Sequence, residues 1–116
     1  FGSDKRWKEN ITTIDNALYK ITSIRGVHFN WKNMTGDSEG VGVIAQEVQP
    51  YMPRIISEDN EGYLGVAYSS LTPYLIEAIK EQQSQIEELK SENNLLKDRL
   101  TQIEERLNSV ELMCKW

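Results

Sequence analysis

Ser3 and Lys8 are two side chains of this sequence whose types and spacing could do covalent chemistry together. A serine hydroxyl is a weak nucleophile at neutral pH and needs a base to take its proton. A lysine serves as that base only as the uncharged amine, a form favoured by desolvation or by neighbouring cations. Lys5 and Arg6 lie close enough in sequence to supply such cations. Two residues five apart on an ideal helix point about 140° away from one another, so the pair cannot meet there. The segment must instead be a turn or loop, or the serine and lysine must come from different copies of the chain. Spacing alone is a weak signal, because a Ser/Lys pair near a chain end is more often simply solvated.

Other candidates are thinner. His28 is the one histidine of the chain and falls on the polar side of an alternating strand, so neither a two-histidine triad nor a His-rich metal site can be assembled. Gly36, Gly40 and Gly42 lack the Lys-Ser/Thr tail of a phosphate loop. Asp59-x-Glu61-Gly62 lacks the terminal glutamate of a calcium loop. Asn10-Ile11-Thr12 and Asn33-Met34-Thr35 match the glycosylation acceptor, a three-residue pattern frequent by chance. The single cysteine, Cys114, excludes an intrachain disulfide framework and a Cys-rich zinc site.

Composition sets wider limits. Among 116 residues, 18 are acidic and 13 basic, for a formal net charge of −5. That balance argues against a nucleic-acid binder or a polybasic membrane-surface segment, both of which draw affinity from Lys and Arg. No apolar run approaches the ~20 residues that span a bilayer, and no signal-peptide core is present. The first residue is Phe1 rather than Met, so the chain reads as a piece of a longer one.

From Tyr74 onward there is no Gly or Pro, and the residues are mostly good helix formers. Thr72 reads as the N-cap and Pro73 as the first helical residue, where a missing N–H costs nothing. A helix from there to Cys114 would be roughly 60 Å long, more than the residues before it could bury. With Ile79 at heptad position a, the a positions are Ile79, Ile86, Asn93, Leu100, Leu107 and Cys114. The d positions are Leu75, Gln82, Leu89, Leu96, Ile103 and Val110. This alternating seam is the pattern of a coiled coil. Parallel copies would set Glu92 against Lys97, Arg99 against Glu104 and Arg106 against Glu111, all of opposite sign. No turn interrupts the segment, so it cannot fold back as a hairpin. Ile86 with Leu89 favours dimers, whereas Leu100 with Ile103 and Leu107 with Val110 favour higher orders, so the register alone gives a parallel oligomer of two or more. Asn93 and Gln82 are polar seam residues of the kind that fix register at a cost in stability.

The preceding half reads as a small mixed unit. Thr12-Thr13-Ile14-Asp15 fits a capping box opening a helix with Ile14, Ala17, Leu18, Ile21 and Ile24 on one face and Gly26 as its terminating glycine. Val27, Phe29 and Trp31 then alternate with His28, Asn30 and Lys32 as a half-buried strand. Asn33 to Gly40 is a polar loop. Val41 to Ile44 reads as a short strand leading into a brief helix that places Ile44 and Val48 on one side and stops at Pro50. Arg54–Ser57 and Tyr63–Val66 flank a polar loop as a hairpin. A core this small is marginal alone and would lean on the coiled coil.

The opening run Ser3-Asp4-Lys5-Arg6-Trp7-Lys8-Glu9-Asn10-Ile11 resembles the S-D-x-R-x-K-x-x-I start of the C-terminal intramolecular chaperone of phage tailspikes and tail fibres, a domain also found in myelin-regulatory-factor-type proteins. Phe29-Asn30-Trp31, Gly42-Val43-Ile44-Ala45-Gln46-Glu47-Val48 and Tyr68-Ser69-x-Leu71-x-Pro73-x-Leu75 through Glu81 are similar to later blocks of that family, in order and spacing. Together they cover Ser3 to Glu81, ahead of the coiled coil that the family commonly carries.

The resemblance implies a self-processing trimerisation module that brings three upstream fibre chains into register and then cuts itself off. Carried over by motif, Ser3 is the nucleophile, Lys8 the general base and Ser3–Asp4 the scissile bond, with Phe1 and Gly2 upstream of it. The trimer is likewise what the family implies. The expected fold is α+β, with a small head over residues 1–70 and a long helix over residues 71–116 forming a parallel trimeric coiled coil. Partners are two further copies and the upstream fibre segment of the same chain, with no nucleic acid, membrane, cofactor or metal. The expected location is the host cytoplasm during assembly, and the virion tail if the domain is retained. Two alternatives are a trimerisation module that does not cut and a receptor-binding fibre tip. The latter would expose aromatics around Trp31, Tyr51 and Tyr63.

Overall fold

The computed structural model describes residues 2–32, 36 and 38–115. A single 3-10 turn at Lys5–Trp7 comes first, followed by irregular chain up to Asn16. Helix α1 (Ala17–Thr22) is shorter than the apolar spacing suggested and has no capping box. Asn16 adopts the left-handed conformation (φ 49°), which ends any helical run from Thr12 and which Asn tolerates better than most residues. At the other end, Thr22 and Ser23 donate their hydroxyls back to the Leu18 and Tyr19 carbonyls. These bonds close the helix before Gly26, whose φ is not left-handed.

The N-terminus of α1 is capped from far along the chain. Glu81 accepts the Ala17 and Leu18 N–H groups through its two carboxylate oxygens, at 3.0 and 3.2 Å. Two donors that an isolated helix would leave to water are thereby satisfied.

Strands β1 (Val27–Asn30) and β2 (Glu39–Gly42) form an antiparallel pair in which Val27 faces Gly42 and Asn30 faces Glu39. The strand alternation is as the sequence implied: Val27 and Phe29 are half-buried and His28 and Asn30 exposed. Trp31 lies just past the strand, 57% exposed, with its ring edge-on to Phe29 at 4.9 Å. A side chain on Gly40 would strike the Phe29 ring, and one on Gly42 would strike the Tyr68 hydroxyl. That hydroxyl accepts the Val43 N–H at 3.1 Å. The expected strand over Val41–Ile44 therefore begins and ends two residues earlier, with Ile44 already serving as N-cap of α2 (Ala45–Val48).

β3 (Ile56–Glu58) and β4 (Leu64–Val66) form a second antiparallel pair. Its loop is organised by Asp59, whose Oδ1 accepts the Glu61 and Tyr63 N–H groups, each at 2.9 Å. Gly62 completes the turn at φ 87°, where a side chain would be strained.

Helix α3 (Leu71–Cys114) runs for 44 residues. It follows directly on a 3-10 turn at Tyr68–Ser70, so Thr72 and Pro73 lie inside its first turn and Thr72 is not its N-cap. Proline is tolerated there because the first N–H groups have no helical partner. The first turns of α3 bury Tyr74 against Val48, Met52 and Ile55, the centre of the core, and Ala78 is buried one turn further on. Ile21, Ile24, Val43 and Leu71 are half-buried around it. Fully burying side chains such as Val48 and Met52 contributes about 1.5–3 kcal/mol each. The chain divides into two compact units, one ending at Glu81 and the other beginning at Gln82. A small strand-and-helix region thus precedes a long C-terminal helix.

Candidate active site at the N-terminal turn

Asp4 and Arg6 build the turn that positions Ser3 and Lys8. Asp4 is extended (φ −63°, ψ 135°), and its Oδ1 accepts the Arg6 N–H at 2.9 Å. Its two oxygens also take the Arg6 guanidinium as a fork, Nε at 3.1 Å and Nη2 at 3.0 Å. The backbone closes with Trp7 N–H on the Asp4 carbonyl and Lys8 N–H on the Lys5 carbonyl, both at 3.1 Å. Lys8 then returns to the extended region. Its Nζ meets the Ser3 Oγ at 2.7 Å.

This is the non-helical arrangement that a spacing of five demands if the pair is to meet within one chain. Nucleophile-to-base reach is about 2.6–3.2 Å, and the pair lies within it. As an ammonium, Lys8 donates to the hydroxyl oxygen. For the serine to be activated the bond must reverse, with Oγ–H donating to an uncharged amine. All of Gly2 to Asn10 is exposed, so within one chain water surrounds the pair. The Arg6 guanidinium, and then its backbone N–H, hold the Asp4 carboxyl below its ordinary range, while Asp4 raises Arg6.

The other sequence candidates are dispersed. His28 is exposed on β1, and Cys114 is exposed at the end of α3. Asn10 is exposed in a left-handed conformation, and Asn33-Met34-Thr35 lies outside the described residues. Among the described residues, no three His, Cys, Asp or Glu side chains are grouped to hold a metal ion. No helix among them is long and apolar enough to cross a membrane.

The heptad positions form an apolar row on α3. Ile79, Ile86, Leu89, Leu96, Leu100, Ile103, Leu107 and Val110 are between 45% and 62% exposed in the single chain, and Asn93 is exposed among them. Of the aromatics weighed for a binding tip, Trp31 and Tyr63 are exposed. Tyr51 is half-buried with its ring edge-on to Tyr19. Sequence reasoning missed the Glu81 cap and the Tyr68 hydroxyl bond. Only the lack of a working cap ahead of Ala17 could have hinted at the first.

Residues 3–57 match the profile of a peptidase family described as the chaperone of endosialidase. This segment holds the Ser3–Lys8 turn, both β1 and β2, and α1 and α2, and over it the chain is similar to that family. The chain is also similar to the long tail fibre protein Gp37 of Salmonella phage S16, at 31% identity over 83% of this chain and 14% of that protein. Gp37 of Enterobacteria phage K3 is 31% identical over 77% of this chain and 8% of its own length. The chain thus spans only a small part of each of these fibre proteins.

Proposed function

We propose that this chain is the assembly module of a phage tail fibre: it joins as a parallel homotrimer, sets the upstream fibre segment in register and cuts itself free at Ser3. The observation that carries the reading is the 2.7 Å contact between Lys8 Nζ and Ser3 Oγ, inside the segment that matches the chaperone family. Similarity to Gp37 supports a place in the virion tail for the retained form; assembly itself would take place in the host cytoplasm. The exposed apolar row of α3, with opposite charges at its flanking positions, supports parallel association.

In the reaction Lys8, as the free amine, takes the proton of Ser3 Oγ, which attacks a peptide carbonyl, and the Lys8 ammonium then returns that proton to the amine that leaves as the C–N bond breaks. Ring size bears on which bond is cut. The Ser3 hydroxyl reaches the Gly2 carbonyl carbon through a five-membered ring, but its own carbonyl only through a strained four-membered one. A cut at Ser3–Asp4, the bond the motif implies, therefore takes the hydroxyl of a neighbouring copy, whereas a cut at Gly2–Ser3 needs one chain. Either way the resulting ester is released by water. Burial between copies is the step that would desolvate Lys8 and favour its neutral form.

Intact mass measurement of the chain extended by its upstream fibre tests this. Wild type should yield two fragments whose masses identify the bond, while Ser3→Ala and Lys8→Ala should each stay full length. A single uncut mass from a wild-type trimer would sink the protease and leave a trimerisation module that does not cut, or a fibre tip.

A further inference from the structure

An apolar cleft of about 230 Å³ opens in the first unit, beside the start of α3. Ile21 of α1, Ile24 just after it, Val43, and Leu71 and Leu75 of α3 line it. The core does not use this space, and the proposed cutting chemistry has no role for it. Next to Leu75 stands Ile76, which is 52% exposed and turned away from the buried pair Tyr74 and Ala78.

The heptad register identifies an occupant. With Ile79 at a, Leu75 is d, Ile76 is e and Leu71 is g. In parallel strands a g residue faces the e residue five positions on in the neighbouring copy. Lower on the helix this rule matches Glu92 with Lys97, Arg99 with Glu104 and Arg106 with Glu111, three pairs of opposite charge. The same register sets Leu71 against Ile76, both apolar, at a level where the g flank is continuous with an apolar cleft. The other e positions, Gln83, Lys90, Lys97, Glu104 and Glu111, are all polar or charged, so the apolar Ile76 stands apart from them.

We infer that Ile76 of a second copy seats in the cleft formed by Ile21, Ile24, Val43, Leu71 and Leu75. This rests on the parallel register proposed above and adds a contact between one copy's α3 and its neighbour's α1. Assembly of the long helices then clamps α1, whose other end is already held by Glu81. Assembly thus adds to the stability of the first unit, and correct register is required for the contact to form.

Cysteine crosslinking in the full chain tests the placement. In a Cys114→Ser background, Ile24→Cys with Ile76→Cys should give covalent multimers under a mild oxidant. Glu92→Cys with Lys97→Cys in the same background reports the lower register independently. If the lower pair crosslinks and the chain assembles, but the Ile24/Ile76 pair stays uncrosslinked or closes within one chain, the cleft inference is overturned while the coiled coil stands. If neither pair links and sedimentation shows a monomer, both fall together. Ile76 is exposed in the single chain, so Ile76→Ser should fold. It should raise the concentration needed for assembly tenfold or more, and an unchanged midpoint overturns the inference.

Discussion

Lys8 reaches Ser3 because Asp4 and Arg6 fold the residues between them into one 3-10 turn. A lone serine and lysine in a solvated strand would sample many distances. The fork of Arg6 on Asp4, with the N–H bond beneath it, narrows that range. The titration of Asp4 reports this turn. Its carboxyl is lowered first by the Arg6 guanidinium and then by the Arg6 N–H, so the charged form favours the turn. A depressed folded value means that the stabilisation is present above the ordinary value of 3.8 and is lost as pH falls through the lowered one. An NMR titration should place the Asp4 midpoint below 3.8, and Arg6→Ala should move it back up. Equal midpoints in the two proteins would show that the turn is not held this way.

At the scale of elements, α1 exists because α3 completes it. Six residues with a left-handed Asn16 ahead of them make a poor helix by themselves, well below the length at which isolated helices persist. Glu81 supplies the missing cap across 64 residues of sequence, which ties the first turns of α3 to the fold of the first unit. Replacing Glu81 by Ala should cost about 1–2 kcal/mol, the scale of a lost cap. Amide exchange at Ala17 and Leu18 should accelerate accordingly, and urea unfolding of the unit should shift to lower concentration. Unchanged exchange at those two amides would mean that the carboxylate does not hold them in solution. Arg25 and Glu47 make a second tie, a bidentate pair at 2.9 and 3.0 Å, but both groups are exposed enough for it to be worth little.

At the scale of the molecule, every described residue from Gln82 onward is exposed in the single chain, including the apolar row. Seam and flank should respond differently to substitution. Leu89→Ala with Leu96→Ala should abolish assembly, since a buried Leu→Ala change costs ~2–5 kcal/mol per site and repeats in each copy. Arg99→Glu with Arg106→Glu should lower the melting temperature and leave the oligomer intact, since exposed pairs contribute at most ~1 kcal/mol each. Sedimentation equilibrium and thermal denaturation separate the two outcomes. An unchanged oligomer in the leucine variant would mean that the seam runs elsewhere. In the upstream-extended chain the same variant should also fail to cut.

The sequence by itself determined the features that rest on local repetition. Heptad spacing and the lack of Gly and Pro defined the long helix, which ends at Cys114 as read, because helix periodicity is written in consecutive residues. The alternation of Val27 to Asn30 and the hairpin around Asp59 to Gly62 were legible for the same reason. The motif from Ser3 to Ile11 gave the pair of candidate residues and their family. Tertiary structure decided what depends on residues far apart. The capping box at Thr12 is a strong local signal, yet Asn16 and Glu81 override it, and no window of sequence contains both. Tyr74, Leu75 and Ile76 are adjacent apolar residues on one helix, but only packing against Val48, Met52 and Ile55 makes Tyr74 the buried one and leaves the other two exposed. The meeting of Lys8 with Ser3 lies between these cases: spacing excluded a helix, and the backbone of one turn did the rest.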